Sequence, residues 1–301
     1  MDNWVDRIDK VIFKGLVDCR TEDVFRYETA MDLDFADLAQ MQEGTDQDLQ
    51  PYIDRVKKTL GEILNDSGPL RPVLAHIMST TGKLLRPRLV ISAALIFDQG
   101  HRTKIDPITD VAAAFEMVHI ASLVHDDIID GSSKRRGLPA IHKIWGIHSA
   151  ILTGDYLFSK ANNTALLYSD LGIAALLNDA VELMCRGEVA QDLWLYDSAA
   201  TEADYFYQSG RKTAALMAAG CKAGAAVSRG SLDAQELLWQ FGIKLGTAFQ
   251  IIDDVQVIVA DEKTLGKPVL NDLKRGTMTL PLIYAMNTEA AKYIAECLNN
   301  P

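Results

Sequence analysis

His125-Asp126-Asp127-Ile128-Ile129-Asp130-Gly131 closes a long apolar run, and its three carboxylates are comfortable only around cations. Upstream, Val111, Phe115, Val118 and Ser122 recur at helical spacing. That spacing predicts one helix over 105–131, the longest well-patterned helix of the chain, with Asp126 and Asp130 on a single face. Like charges at i and i+4 cost a helix a few tenths of a kcal/mol. The arrangement makes sense if Mg²⁺, which takes oxygen ligands, bridges the pair to a phosphate. A frayed acidic helix end is the competing reading of this segment alone.

A second carboxylate pair bears on the choice. Phe249-Gln250-Ile251-Ile252-Asp253-Asp254 again sets adjacent aspartates at the end of an apolar helical run. Basic residues trail both pairs: Lys134, Arg135 and Arg136 after the first, Lys263 and Lys267 after the second. Together they suggest a metal–diphosphate clamp. From about Gly82 to about Tyr284 the pattern resembles the trans-isoprenyl diphosphate synthases, whose first DDxxD motif matches Asp126-Asp127-Ile128-Ile129-Asp130. The resemblance implies an all-α fold, a single-domain helical bundle of the isoprenoid synthase type spanning 1–301 around a central apolar cavity. Residues 1–50 would be an acidic helical extension, and the C-terminal helices look shortened beside the family. The implied activity is a Mg²⁺-dependent condensation of isopentenyl diphosphate with an allylic diphosphate.

Several further segments match that family. Gly82-Lys83-Leu84-Leu85-Arg86-Pro87-Arg88 reads by itself as a basic turn entering a helix, with Pro87 suited to a first turn. Cations at a helix start also suit an anion, and the resemblance makes Lys83 and Arg86 binders of isopentenyl diphosphate. His119 lies two turns before Asp126 on the same face; a lone histidine there is usually a core residue, but the family uses it for isopentenyl diphosphate. The planar fork of arginine suits phosphate oxygens, and the resemblance assigns Arg135 to the allylic diphosphate and Arg136 to isopentenyl diphosphate. It places Lys212 and Lys267 on the allylic diphosphate, Thr213 near the developing cation, and Gln250 among the binding residues. Asp126, Asp127, Asp130 and Asp253 would be the metal ligands. Glu188, Gln191 and Asp192 either face the site or lie on the surface, and His125 packs beside the metal site.

Two features depart from the pattern. The second motif reads Asp253-Asp254-Val255-Gln256-Val257, with valine at its third acidic place, and Asp261 substitutes only if the helix bends. The chain also stops at Pro301, soon after Leu280-Pro281-Leu282. Both motivate a rival, a partner-dependent subunit of a two-component synthase. A terpene cyclase on the same scaffold is disfavoured by the Gly82–Arg86 segment, since a cyclase needs no isopentenyl diphosphate site.

Product length follows from the helix beneath Asp126. Ser122 and Ala121, four and five places upstream, are small and leave a tunnel open. Val118 and Phe115 lie deeper, about 12 and 16 Å down at ~1.5 Å per residue, and Phe115 is either a floor or a core residue. The expected product is longer than C15.

Composition sets the bounds. Apolar residues make up 48% and aromatics 7% of 301 residues, which favours a helical core. A formal charge of −11 argues against nucleic acid. Cys19, Cys185, Cys221 and Cys297 show no zinc or disulfide spacing. Neither a signal peptide nor a membrane span is expected, so the chain reads as cytoplasmic; the resemblance implies a homodimer. Helices are also expected over 1–42 (two, broken near Cys19–Asp23), 51–65, 139–160, 166–192, 205–224, 232–259 and from Thr279 as the last one. Gly44–Gln50 reads as a hinge, 132–137 as a loop, and no strand is expected.

Overall fold

The computed structural model describes residues 35–65, 68–79, 82–97, 105–259 and 271–299. The expected helices before residue 35, and Asp261, Lys263 and Lys267, lie outside them. The fold is all-α. It divides into two compact units, one formed by the described residues up to Asn178 with Gly220–Leu238, the other by Asp179–Ala219 with the residues from Trp239 onward.

In the first unit α1 (Phe35–Ile63), α2 (Arg71–Ser79), α3 (Leu85–Phe97) and α4 (Ile105–Ile129) are followed by a small hairpin and α5 (Ile141–Leu166). The expected hinge at Gly44–Gln50 is instead part of α1, which also contains Pro51. A proline inside a helix costs ~3 kcal/mol, but α1 buries Leu49, Ile53, Val56 and Leu60 along one stripe. At ~1.5–3 kcal/mol per buried apolar side chain, that stripe wins. Gln50 Nε2 also donates to Asp54 Oδ1 at 2.7 Å, across the proline.

Helix α4 is the axis of this unit, packing against α1, α3 and α5. Its Ala112-Ala113-Ala114 run is buried along with Val111, Phe115, Met117 and Val118. A helix apolar all round is buried all round. Among the described residues it alone is long and apolar enough to cross a membrane, and 72% of its most apolar window is buried inside the fold. It is not the longest helix: α1 has 29 residues and α4 has 25. Its end is a Schellman motif, in which Ser132 N–H donates to Asp127 O at 3.0 Å and Gly131 N–H to Ile128 O at 3.1 Å. Gly131 takes the left-handed conformation (φ 61°) that this motif requires.

The expected loop over 132–137 contains two short antiparallel strands, β1 (Lys134–Arg135) and β2 (Leu138–Pro139), paired Lys134 to Pro139 and Arg135 to Leu138. Arg136 (φ 50°) and Gly137 (φ 83°) form the turn. Positive φ at both central residues is what a two-residue hairpin turn of type I′ demands. The expected helix over 166–192 is also interrupted. A single turn at Ser169–Leu171 and left-handed Gly172 (φ 72°) separate α5 from α6 (Ile173–Leu193). Tyr168 anchors the break by donating to Asp110 Oδ2 on α4 at 2.6 Å.

In the second unit α7 (Glu202–Ser209) starts at a capping box formed by Thr201 and Asp204. Where one continuous helix was expected over 205–224, a π-turn at Gly210–Ala214 intervenes before α8 (Ala215–Val227), whose residues from Gly220 on belong to the first unit. Helix α9 runs Leu232–Val259, as expected. Short helices α10 (Asn271–Lys274) and α11 (Leu280–Ala285) precede α12 (Ala291–Asn299), so the helix at Thr279 is not the last. Leu273, Met278, Leu282, Ile294 and Leu298 form a common core there.

Candidate active site

The first aspartate motif occupies the last turn and cap of α4. Asp126 and Asp130 are half-buried, and Asp130 N–H donates to Asp126 O at 2.7 Å, which closes the final turn. Asp127 is different. It is 5% exposed, and its Oδ1 accepts from Arg135 Nη2 at 2.6 Å and Nε at 3.0 Å. The neighbouring aspartates thus point to different tasks, Asp126 and Asp130 at the helix end and Asp127 in the protein as the anchor of Arg135. His125 docks on α5, where its Nε2 donates to Ile151 O at 3.1 Å and its ring lies 5.8 Å from that of Phe158.

Arg136 reaches back over Gly82, and a Cβ at Gly82 would stand 2.4 Å from Arg136 Nη2. A residue with a side chain there would displace the guanidinium, which explains glycine at this position more directly than a tight backbone does. Arg86 belongs to the first turn of α3, and Lys83 is exposed just before it. On α4 the facing residues are His119 and, one turn earlier, Glu116. Burial, and then the charges of Arg86, Arg136 and Arg135, hold His119 well below the usual histidine range, so it is neutral. Glu116 is 1% exposed. Burial pushes its carboxyl up to about 7 against the opposing pull of Arg86 and Arg136. Sequence reasoning missed Glu116; the available signal was a lone acid inside an apolar run, three residues before His119. A cleft lined by His76, Leu123, Val124, Asp127, Arg135 and Arg136 opens beside the hairpin.

In the second unit the π-turn presents Lys212 and Thr213. Lys212 Nζ donates to Glu188 Oε2 at 2.6 Å and to Gln191 Oε1 at 3.1 Å. Glu188 and Gln191, with two readings open in the sequence, therefore face Lys212. Helix α6 comes so near the π-turn that a Cβ at Gly187 would lie 2.6 Å from the Lys212 backbone nitrogen. Thr213 Oγ1 donates to Gln250 Oε1 at 2.7 Å, Gln250 Nε2 to Asp254 Oδ1 at 2.9 Å, and Tyr205 OH to Asp254 Oδ2 at 2.6 Å. Burial pushes the Asp254 carboxyl up to about 6, against those hydrogen bonds. Asp254 is the buried acid of its pair and Asp253 the half-buried one. Tyr205 had no signal in the sequence, because its partner lies 49 residues away. A π-turn interrupting a helix is frequent at functional sites, and this one carries Lys212.

A helix end bearing aspartates, with Arg135 and Arg136 on the hairpin that follows it, presents in an all-α fold the donors that suit anionic oxygens. The polyprenyl synthetase family model matches residues 68–301. A short chain isoprenyl diphosphate synthase of Methanothermobacter thermautotrophicus is 37% identical over 253 residues, covering 81% of this chain and 76% of that protein. Heptaprenyl diphosphate synthase component 2 of Bacillus subtilis is 33% identical over 253 residues, covering 84% of this chain and 72% of that protein. The crystal structure of polyprenyl synthase from Caulobacter crescentus CB15, complexed with calcium and isoprenyl diphosphate, superposes with a TM-score of 0.77 at 31% identity, covering 84% and 77% of the two chains. The chain belongs to the polyprenyl synthetase family of trans-isoprenyl diphosphate synthases, and it is a prenyltransferase.

Proposed function

We propose that the chain condenses isopentenyl diphosphate with an allylic diphosphate to a prenyl diphosphate longer than C15, using Mg²⁺. The observation that carries the reading is that Arg136, lying over Gly82, and Arg86 both act on His119, on the helix that ends in Asp126 and Asp130. Mg²⁺ is bound through one or two carboxylates, substrate phosphates and waters rather than in an all-protein cage. Among the described residues no three His, Cys, Asp or Glu side chains gather around one point, and the Asp126–Asp130 pair fits a site that the substrate completes. Asp126 and Asp130 would hold the ion at the first motif and Asp253 at the second, with Asp127 held back by Arg135. When bound, Mg²⁺ neutralises the diphosphate of the allylic substrate and eases its departure. The calcium and isoprenyl diphosphate of the Caulobacter structure support a divalent ion with this substrate class.

The chain's own residues do the rest. Lys83, Arg86, His119 and Arg136 orient isopentenyl diphosphate. Lys212, Lys267 and Arg135 stabilise charge gathering on the departing diphosphate. The allylic C–O bond breaks with its electron pair leaving on diphosphate, and the double bond of isopentenyl diphosphate attacks the cation. A proton then passes to the released diphosphate and restores a double bond. Thr213, held by its hydrogen bond to Gln250, would face the developing cation, and apolar helix faces would exclude water from it.

Ala121 is fully buried, Ser122 turns its hydroxyl onto His119 O at 2.9 Å, and no bulky group stands at either position. Phe115, also fully buried, lies against Gly220 of α8, 3.7 Å from where a Cβ would stand. The purified chain, incubated with labelled isopentenyl diphosphate, farnesyl diphosphate and Mg²⁺, is expected to give products longer than C15, and Ala121→Phe shorter ones. An identical product distribution from both proteins sinks the tunnel. A folded chain that makes nothing alone turns the reading to a partner-dependent subunit, which Val257 and the similarity to a synthase component 2 favour.

A second copy is the partner we propose for α5, which beyond its kink at Gly146 (φ 83°) exposes Ile147 (56%) and Ile151 (44%) one turn apart. Sedimentation is expected to show a dimer that Ile147→Glu dissociates. A wild-type monomer at micromolar concentration refutes it. Cytoplasmic placement belongs to the same proposal.

A further inference from the structure

Glu116 has no task in this mechanism, yet its position is costly. Its Oε2 is buried with no hydrogen-bond partner, and a buried carboxylate without full pairing is strongly disfavoured. Arg86 faces it from α3, Arg136 from the hairpin turn, and His119 follows one turn on along α4, with Arg135 beside Arg136 acting on His119. Arg136 has little freedom to withdraw. Its backbone is in the left-handed region that a non-glycine residue rarely adopts, and its guanidinium fills the space over Gly82. One held guanidinium, that of Arg136, and the charge of Arg86 therefore act on one buried acid.

We propose that Glu116 is a positioning residue of the isopentenyl diphosphate site, steadying Arg86 and Arg136 until the diphosphate arrives and then taking up a proton as the diphosphate replaces it. This rests on the assignment of Arg86 and Arg136 to isopentenyl diphosphate. The electrostatics run one way. The two arginines favour the ionised carboxylate and burial opposes it, which leaves its proton balanced at about pH 7. A bound diphosphate cancels the field of the arginines and repels the carboxylate directly. Both effects draw a proton from solvent onto Glu116, and the neutral acid no longer competes for the guanidiniums. His119 also gains proton affinity, but from a value held well below the usual histidine range, so uptake above pH 7 belongs to Glu116.

Binding that takes up a proton weakens as pH rises from the free value toward the higher bound value. The KM for isopentenyl diphosphate is therefore expected to rise roughly tenfold between pH 7 and 8.5, with kcat less affected. Glu116→Gln is expected to flatten that rise and to bind more tightly than wild type at pH 8.5; a merely structural role predicts weaker binding at every pH. Calorimetry of the wild-type chain with isopentenyl diphosphate and Mg²⁺, in two buffers of different ionisation heat at pH 7, should show uptake on the order of half a proton. No uptake, or a wild-type pH profile in Glu116→Gln, overturns the proposal. The calorimetry decides even if the variant fails to fold. Arg86→Ala separates the two layers. If it leaves the KM for isopentenyl diphosphate unchanged, the site assignment is wrong; if it raises that KM while Glu116→Gln keeps the wild-type profile, only the role of Glu116 falls.

Discussion

Asp126→Ala is expected to lower kcat by roughly 10³-fold while the melting temperature stays within a few degrees of wild type. Asp126 is half-buried at the last turn of α4, where its backbone carbonyl holds the turn and its side chain is the first acid of the motif. Removing the carboxylate leaves the Schellman motif at Gly131 and Ser132 intact, since those bonds are made by main-chain groups. Asp127→Ala should behave in the opposite manner. Its carboxylate is buried and takes both bonds from Arg135, whose side chain is 28% exposed. Breaking a buried pair by removing one partner strands the other charge, at a cost of about 3–5 kcal/mol when both are dry. With Arg135 partly in water, about 2 kcal/mol is the better figure, or a fall of ~4–8 °C for a protein of this size. Steady-state kinetics and thermal melts of the two variants check the contrast. Equal destabilisation, or a greater kinetic loss from Asp127→Ala than from Asp126→Ala, would overturn this division of labour.

Lys212→Ala is expected to lower kcat by about 10²-fold and also to destabilise the second unit. The ammonium lies 2.6 Å from Glu188, whose side chain is 18% exposed and whose Oε1 is buried without a hydrogen-bond partner. Without Lys212 that acid is left charged among few donors. Adding Glu188→Gln removes the stranded charge, so the double variant should recover its melting temperature while its kcat stays low. A melt that does not recover would mean that Lys212 supports the fold by packing alone. A single variant with wild-type kcat would remove Lys212 from the chemistry.

These contrasts show where local patterning ends. Helix α4, its apolar girth and the aspartates at its end were legible because every signal involved lies within about two turns along one segment. The same holds for α9, which runs over the expected Leu232–Val259. The hinge expected at Gly44–Gln50 failed because a polar stretch reads the same whether it turns or continues, and the buried stripe of α1 decided for continuation. The interruption at Gly210–Ala214 has no periodic signature. It inserts a single residue's worth of rotation, and its partners, Gln191 and Gln250, are 21 residues behind Lys212 and 37 beyond Thr213.

Within the site, residue type alone separated acids from bases but not the jobs of identical neighbours. Asp126 and Asp127 are equivalent as letters; only the hairpin carrying Arg135 back onto α4 makes one of them a structural partner. Asp253 and Asp254 are told apart in the same way, by Tyr205 reaching Asp254 across 49 residues. The sequence by itself determined the helical class, the two aspartate motifs and the family, because these reside in short-range spacing and residue type. Tertiary structure decided which acid is buried, which cation it meets and how far burial lifts the Glu116 carboxyl, because charge and desolvation depend on neighbours that only folding brings together.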